Sequence, residues 1–163
     1  MREAIALAIE NVDNGGGPFG AVIVKDGVVV GRGVNRVTAN NDPTAHAEVS
    51  AIREATKNLN TFDLQGCEIY TSCEPCPMCL GAIYWARIKH IYYGNTQKDA
   101  ADIDFDDSFI YKEIEKGIGN RTIPETHLLG NEAIESFNRW RDKADKICQK
   151  RLFLCRGVFF PQY

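Results

Sequence analysis

TSCEPCPMCLGAIYWAR, residues Thr71–Arg87, holds two cysteines three positions apart, Cys76 and Cys79, directly behind Pro75. Proline fixes its own φ near the helical value and suits the first turn of a helix. A helix beginning near Cys76 sets residues i and i+3 on one face, so both sulfurs point the same way. The N-terminal end of a helix stabilises anions, which favours thiolates there. Two adjacent thiolates are half of a zinc site. The other ligands come from elsewhere in the chain, and they decide between a structural zinc knuckle, a redox pair and a catalytic metal centre.

The candidates are His46, His90, His127 or a further Cys. His90 lies inside a strand pattern and His127 beside one, and neither has an acidic neighbour at a useful spacing. His46 does, in the run His46-Ala47-Glu48. This run falls in the first turns of a second expected helix, Pro43–Asn58, entered through Asp42-Pro43. Ligands at the starts of two adjacent helices can converge on one point. His46, Cys76 and Cys79 are then three zinc ligands, and the fourth position stays open for water, as in catalytic sites. Zinc lowers the pKa of such a water to about 7. A base must still take the proton, and Glu48 is placed beside the metal without binding it. A redox pair of Cys76 and Cys79 leaves His46 and Glu48 without a role. H-x-E followed by P-C-x-x-C is the signature of zinc deaminases of bases and nucleosides.

The rest of the chain frames this constellation. Its 163 residues suit one domain with a sizeable core. A net charge of −3 and a pI near 5.6 give no global basic signal for nucleic acid. The start reads as an amphipathic helix, Glu3–Val12, rather than a signal peptide, and no apolar run is long enough to span a bilayer. Without a secretory signal, the six Cys point to metal binding or free thiols, and hence to the cytoplasm. That helix begins at the first residue, which leaves room for an N-terminal extension. Phe19–Lys25 and Val28–Val34, joined by Asp26-Gly27, predict a β-hairpin, with Asn35 where the second strand gives way to a polar loop. Further expected strands are Cys67–Thr71, Ile88–Tyr93 and Ile123–Leu129. Cys76–Ala86 reads as a buried helix, Lys98–Asp107 as an acidic segment, Ser108–Glu115 as a short helix and Asn131–Lys146 as the last helix. This order predicts a three-layer α/β/α domain over residues 1–146 with a mixed, five-stranded central sheet, and a tail over 147–163.

DPTAHAEV (Asp42–Val49), TSCEPCPMCLGAIYWAR (Thr71–Arg87) and FDDSFIYKEI (Phe105–Ile114) closely resemble the guanine deaminases of the cytidine deaminase-like fold. The first two are partly shared with tRNA adenosine deaminases, and the third favours guanine deaminase. GGPFGAVIVKDG (Gly16–Gly27) and RTIP (Arg121–Pro124) also fit. The resemblance implies hydrolysis of guanine to xanthine and ammonia. By position, His46, Cys76 and Cys79 hold zinc and Glu48 shuttles protons. Asn35 hydrogen-bonds the purine, Ala47 contacts it, Phe19 and Trp85 wall the pocket, and Asp107 is a second acid assisting the leaving amine. Read as residues alone, Phe19 and Trp85 equally suit a core, and Asp107 a solvated face.

The family's chain ends in a Tyr that folds over the partner's site in a domain-swapped dimer. Here the segment after Trp140 is longer, its stretch KRLFLCRGVFF (Lys150–Phe160) departs from the family tail, and it ends Pro161-Gln162-Tyr163. The resemblance implies a homodimer swapped through this segment with Tyr163 as the capping residue; the alternative is a tail that is disordered or packs on a neighbour through its apolar residues. A tRNA adenosine deaminase needs a basic RNA surface, which the acidic Asp99–Asp107 run opposes. Guanosine, cytosine and pterin-like substrates stay open, as does a binding module that has lost chemistry, although such a module has no need of Glu48.

Overall fold

The computed structural model describes residues 1–147. The chain divides into two compact units, Met1–Lys112 and Glu113–Tyr163. The first carries a four-stranded sheet: β1 (Gly20–Lys25), β2 (Val28–Val34), β3 (Glu68–Cys73) and β4 (His90–Asn95). The order is β2-β1-β3-β4, with β1 antiparallel to both neighbours and β3 parallel to β4, so the sheet is mixed. The hairpin turn is the expected one: Asp26 and Gly27 both have positive φ, 50° and 79°, which matches the right-handed twist of the strands they join.

Register assigns the layers. Ala21 and Ile23 pair with Gly33 and Gly31, so these four residues share one face of the sheet. Helix α3 (Ala47–Leu59) lies on that face so closely that a Cβ added to Gly33 would sit 2.1 Å from the Ala47 carbonyl oxygen. Helix α4 (Pro77–Trp85) covers the same face, and Ile83 joins Ala21, Ile23, Ala51 and Ile69 in one buried cluster. Helix α1 (Arg2–Asp13) packs its Ala4, Ala8 and Asn11 side on the opposite face, against Gly20. The result is the expected three-layer α/β/α arrangement. Between β2 and α3 lies a four-residue helix, α2 (Val37–Asn40). After β4 come α5 (Gln97–Ala101) and α6 (Ser108–Glu115). Helix α5 falls at the start of the segment expected to be merely acidic: Thr96 and Asp99 form a capping box that starts it.

The fifth strand is a correction. Ile123–Leu129 joins no ladder; Pro124 has no N–H to give one, and Leu129 turns into positive φ (54°) before α7 (Gly130–Asp142). Helix α4 is also not buried all round, since Tyr84 and Trp85 are 50% and 65% exposed. In the second unit Glu113 gathers Arg121, Thr122 and Lys116 around its carbonyl and carboxylate. No described residue of that unit is buried. The expected tail, including Tyr163, lies outside the described residues save Ile147. No helix among the described residues is long and apolar enough to cross a membrane.

Candidate metal centre and its cavity

The second expected helix starts later than its sequence suggests, and this shift makes the site. Asp42 Oδ1 accepts hydrogen bonds from the Thr44 N–H at 2.8 Å and hydroxyl at 2.7 Å, so the chain turns at Pro43–Ala45 instead of coiling. His46 becomes the N-cap of α3, extended at φ −70°, ψ 159°. Cys76 is likewise the N-cap of α4, at φ −64°, ψ 167°, with Pro77 as its first helical residue. Two helices on one face of the sheet thus each offer a cap residue to the same point.

There, His46 Nδ1 lies 3.6 Å from Cys76 Sγ and 3.5 Å from Cys79 Sγ. Zinc bonded to sulfur at about 2.3 Å and to nitrogen at about 2.0–2.1 Å has a tetrahedral S···N edge of about 3.5 Å. The three ligand atoms therefore already stand at the spacing of a zinc tetrahedron. They form the single His, Cys and carboxylate group among the described residues spaced to hold a metal ion.

Electrostatics agree. A hydrogen bond from Cys79 holds the Cys76 thiol at about 4, with His46 helping against the cost of burial. Cys79 is pushed up by the same bond, by burial and by Glu48. His46 is raised, chiefly by its bond to Cys76. The pair keeps one proton, which a zinc ion displaces when it binds.

Glu48 is 6% exposed. Its Oε1 accepts from Thr71 Oγ1 at 3.4 Å and its Oε2 from Cys79 Sγ at 3.4 Å. Burial raises its carboxyl above the usual glutamate range. A carboxyl raised in this way is better suited than an ordinary glutamate to accept a proton and return it.

His46, Glu48 and Cys76 open into a cavity of about 560 Å³, a size that holds a small organic ligand. Asn35, Phe19 and Asp107 line it too. Burial and the charge of Cys76 raise Asp107 above the usual aspartate range. Ala47 is fully buried behind the wall and does not line the cavity. Trp85, exposed at the far end of α4, does not line it either. The resemblance implied a wall residue here, but α4 runs away from its metal-binding start and carries Trp85 outward. Sequence reasoning also missed wall residues. Phe105 meets Phe19 edge to face, with centroids 5.0 Å apart, and Cys73, Glu74 and Gln97 also line the cavity. Phe105 opens the FDDSF run, which was its one available signal.

Comparison with known proteins supports the geometry. Residues 1–95 match the family described as the cytidine and deoxycytidylate deaminase zinc-binding region. Guanine deaminase of Bacillus subtilis is 56% identical over 147 residues, 90% of this chain and 94% of the relative. The X-ray structure of the B. subtilis guanine deaminase superposes with a TM-score of 0.89 at 55% identity, covering 91% of this chain and 96% of that one. The tRNA-specific adenosine deaminase of Buchnera aphidicola is 36% identical over 132 residues, 81% of this chain and 85% of the relative. With its cysteine pair and histidine at zinc spacing and a buried glutamate beside them, the chain belongs to the cytidine and deoxycytidylate deaminase zinc-binding family.

Proposed function

We propose that this protein hydrolyses guanine to xanthine and ammonia. The observation that carries the reading is the cavity itself: its lining brings His46 and Cys76 of the zinc triad and the buried carboxylate of Glu48 together with Asn35, Phe19 and Asp107. The 56% identity to a guanine deaminase over nine-tenths of the chain supports guanine over other bases. Zinc, held by His46, Cys76 and Cys79, supplies the Lewis acidity that makes water a nucleophile near neutral pH.

The protein's own residues do the rest. Phe19 and Phe105, set edge to face, form an apolar wall against which a flat purine packs. Asn35 offers its carboxamide to the purine's polar edge. Ala47, behind the wall, fixes the backbone between His46 and Glu48. Glu48 takes a proton from the attacking water as the new C2–O bond forms, and delivers it to a ring nitrogen. The exocyclic C2–N bond then breaks. As the C2 hydroxyl becomes the carbonyl, Glu48 takes its proton, and the amine leaves as ammonia after receiving a proton from Glu48 or Asp107. Trp85, outside this cavity, has no part in the chemistry so described.

A homodimer is part of the proposal. The described part of the second unit leaves Ile118, Ile123, Leu128 and Phe137 at 71–78% exposure, an apolar surface that a second copy covers. Two metal-binding thiols also call for a reducing compartment, and the cytoplasm is the one proposed.

Ammonia release from a panel of guanine, guanosine, adenosine, cytosine and a tRNA anticodon stem, with zinc-loaded protein, tests the reading. Release from guanine above all others is expected. Preference for the anticodon stem or for a pyrimidine would overturn it.

A further inference from the structure

Helix α1 meets the sheet through a stripe of small apolar residues, Ala4 and Ala8, and its next buried position is Asn11, only 6% exposed. A buried carboxamide in an alanine stripe needs partners. Asn11 Nδ2 donates to two carbonyls: Gly17 O at 2.8 Å and Asn35 O at 2.8 Å. One NH₂ group therefore spends both its hydrogens on two chain segments that lie side by side but far apart in sequence. Both segments line the cavity, one as Gly15–Gly17 and the other as Asn35.

The fit around Asn11 is close. A Cβ on Gly16 would stand 2.3 Å from Asn11 Nδ2, so the glycine leaves the space that the amide fills. The Gly16 N–H donates back to the Asn11 carbonyl at 2.8 Å. Asn35 is tied further, its N–H to Phe19 O at 3.1 Å and its Oδ1 accepting from the Val37 N–H at 3.3 Å. Asn11 thus fixes the backbone from which Asn35 projects and the glycine wall beside it. A carboxamide that must meet a purine edge loses affinity when its backbone drifts by an ångström.

We infer that Asn11 is a positioning residue for substrate recognition: its amide locks Asn35 and the glycine wall into one rigid purine-binding edge. This rests on the guanine reading above. The residue touches neither the metal ligands nor the proposed proton shuttle, so its effect falls on binding and not on bond making.

The test uses zinc-loaded full-length protein with Asn11→Ala and Asn11→Asp. Alanine is the better helix former, so α1 is retained. Aspartate keeps the shape but turns a double donor toward carbonyls into an acceptor. A third variant, Ala4→Gly, loosens α1 on the same face without touching the clamp. Three readouts apply: guanine KM and kcat, zinc per chain, and amide exchange at Gly16, Phe19, Asn35 and Arg36 by mass spectrometry. For both Asn11 variants, KM should rise about tenfold, the loss expected for one well-placed hydrogen bond. Zinc content and kcat should hold within about twofold, and exchange at those four amides should quicken. Ala4→Gly should leave KM unchanged. Unchanged KM in the Asn11 variants, an equal fall in kcat and zinc, or an equal KM rise in Ala4→Gly would overturn the inference. Should the wild type release no ammonia from guanine, the guanine reading falls, and the exchange rates alone then decide the clamp: protection unchanged in both variants refutes it.

Discussion

Replacing Glu48 with Gln separates the metal from the base. The side chain keeps its length and volume, and the two groups on its oxygens can both be kept. Gln Oε1 still accepts from Thr71, and its amide nitrogen can donate to the Cys79 sulfur where the carboxylate accepted. His46, Cys76 and Cys79 are untouched, so zinc per chain should stay at the wild-type level. What is lost is the proton relay. General acid–base groups contribute about 10²–10⁴-fold, and Glu48 serves both proton-transfer steps, so kcat should fall by about 10³-fold or more, which is about 4 kcal/mol in the barrier. Stability should move the other way. Burial raises the folded-state pKa of Glu48, so the folded protein binds its proton more tightly than the unfolded chain. The ionised carboxylate then costs stability, and this cost grows as pH rises above the unfolded value of about 4.3. In chelator-stripped protein at neutral pH, Glu48→Gln should therefore melt no lower than wild type, and the gap should close toward acid pH. Turnover within about tenfold of wild type at full zinc occupancy would refute the assignment. Zinc and activity lost together would show that the carboxylate is a ligand and not a base.

Asp107→Ala should lower guanine kcat/KM by about 10²-fold with zinc unchanged; an unaltered steady-state profile removes Asp107 from the reaction. Gly33→Ala places a Cβ 2.1 Å from Ala47 O and 2.4 Å from Ala51 N. It should push the start of α3 off the sheet, costing about 1–3 kcal/mol in denaturant unfolding and part of the zinc occupancy; normal zinc content would show that α3 yields without moving His46. Chelation should expose Cys76, whose thiol sits at about 4 and is ionised at neutral pH. Iodoacetamide with peptide mapping should modify Cys76 ahead of Cys67, fully buried, and Cys73, pushed up to about 11 by burial and Glu48. Modification of Cys73 first would contradict the electrostatics.

The parts of the molecule legible in the sequence are those whose physics is local. The hairpin is readable because Asp26-Gly27 supplies both positive φ values at once. The metal set is readable because each half is a short spacing at a helix start, His46 with Glu48 and Cys76 with Cys79. Boundaries fail where a side chain redirects the backbone. Asp42 captures Thr44 and delays α3 by four residues, from Pro43 to Ala47, and this delay makes His46 a cap residue. The fifth strand fails for a different reason. Ile123–Leu129 has apolar residues but no neighbouring strand to pair with among the described residues, and propensity alone makes no ladder.

The substrate wall is harder to read than the metal, and the structure shows why. Apart from the metal-binding helix starts, its lining comes from four separate stretches: the glycines and Phe19, the turn at Asn35, the end of β3 at Cys73 and Glu74, and the run from Gln97 to Asp107. None carries a spacing that predicts the others. They meet because the sheet order places β1 between β2 and β3, and because Asn11 ties the first stretch to the second. Chemistry and specificity therefore sit on different kinds of scaffold. The zinc ligands and Glu48 stand at helix starts, that of α3 pressed against the glycines of β2, where small displacements should cost metal. The proposed purine edge stands on loops held by a few hydrogen bonds, where small displacements should cost only affinity. Substitutions in the loop set should accordingly alter which base is deaminated while the zinc site stays loaded, and substitutions under α3 should lose every substrate together.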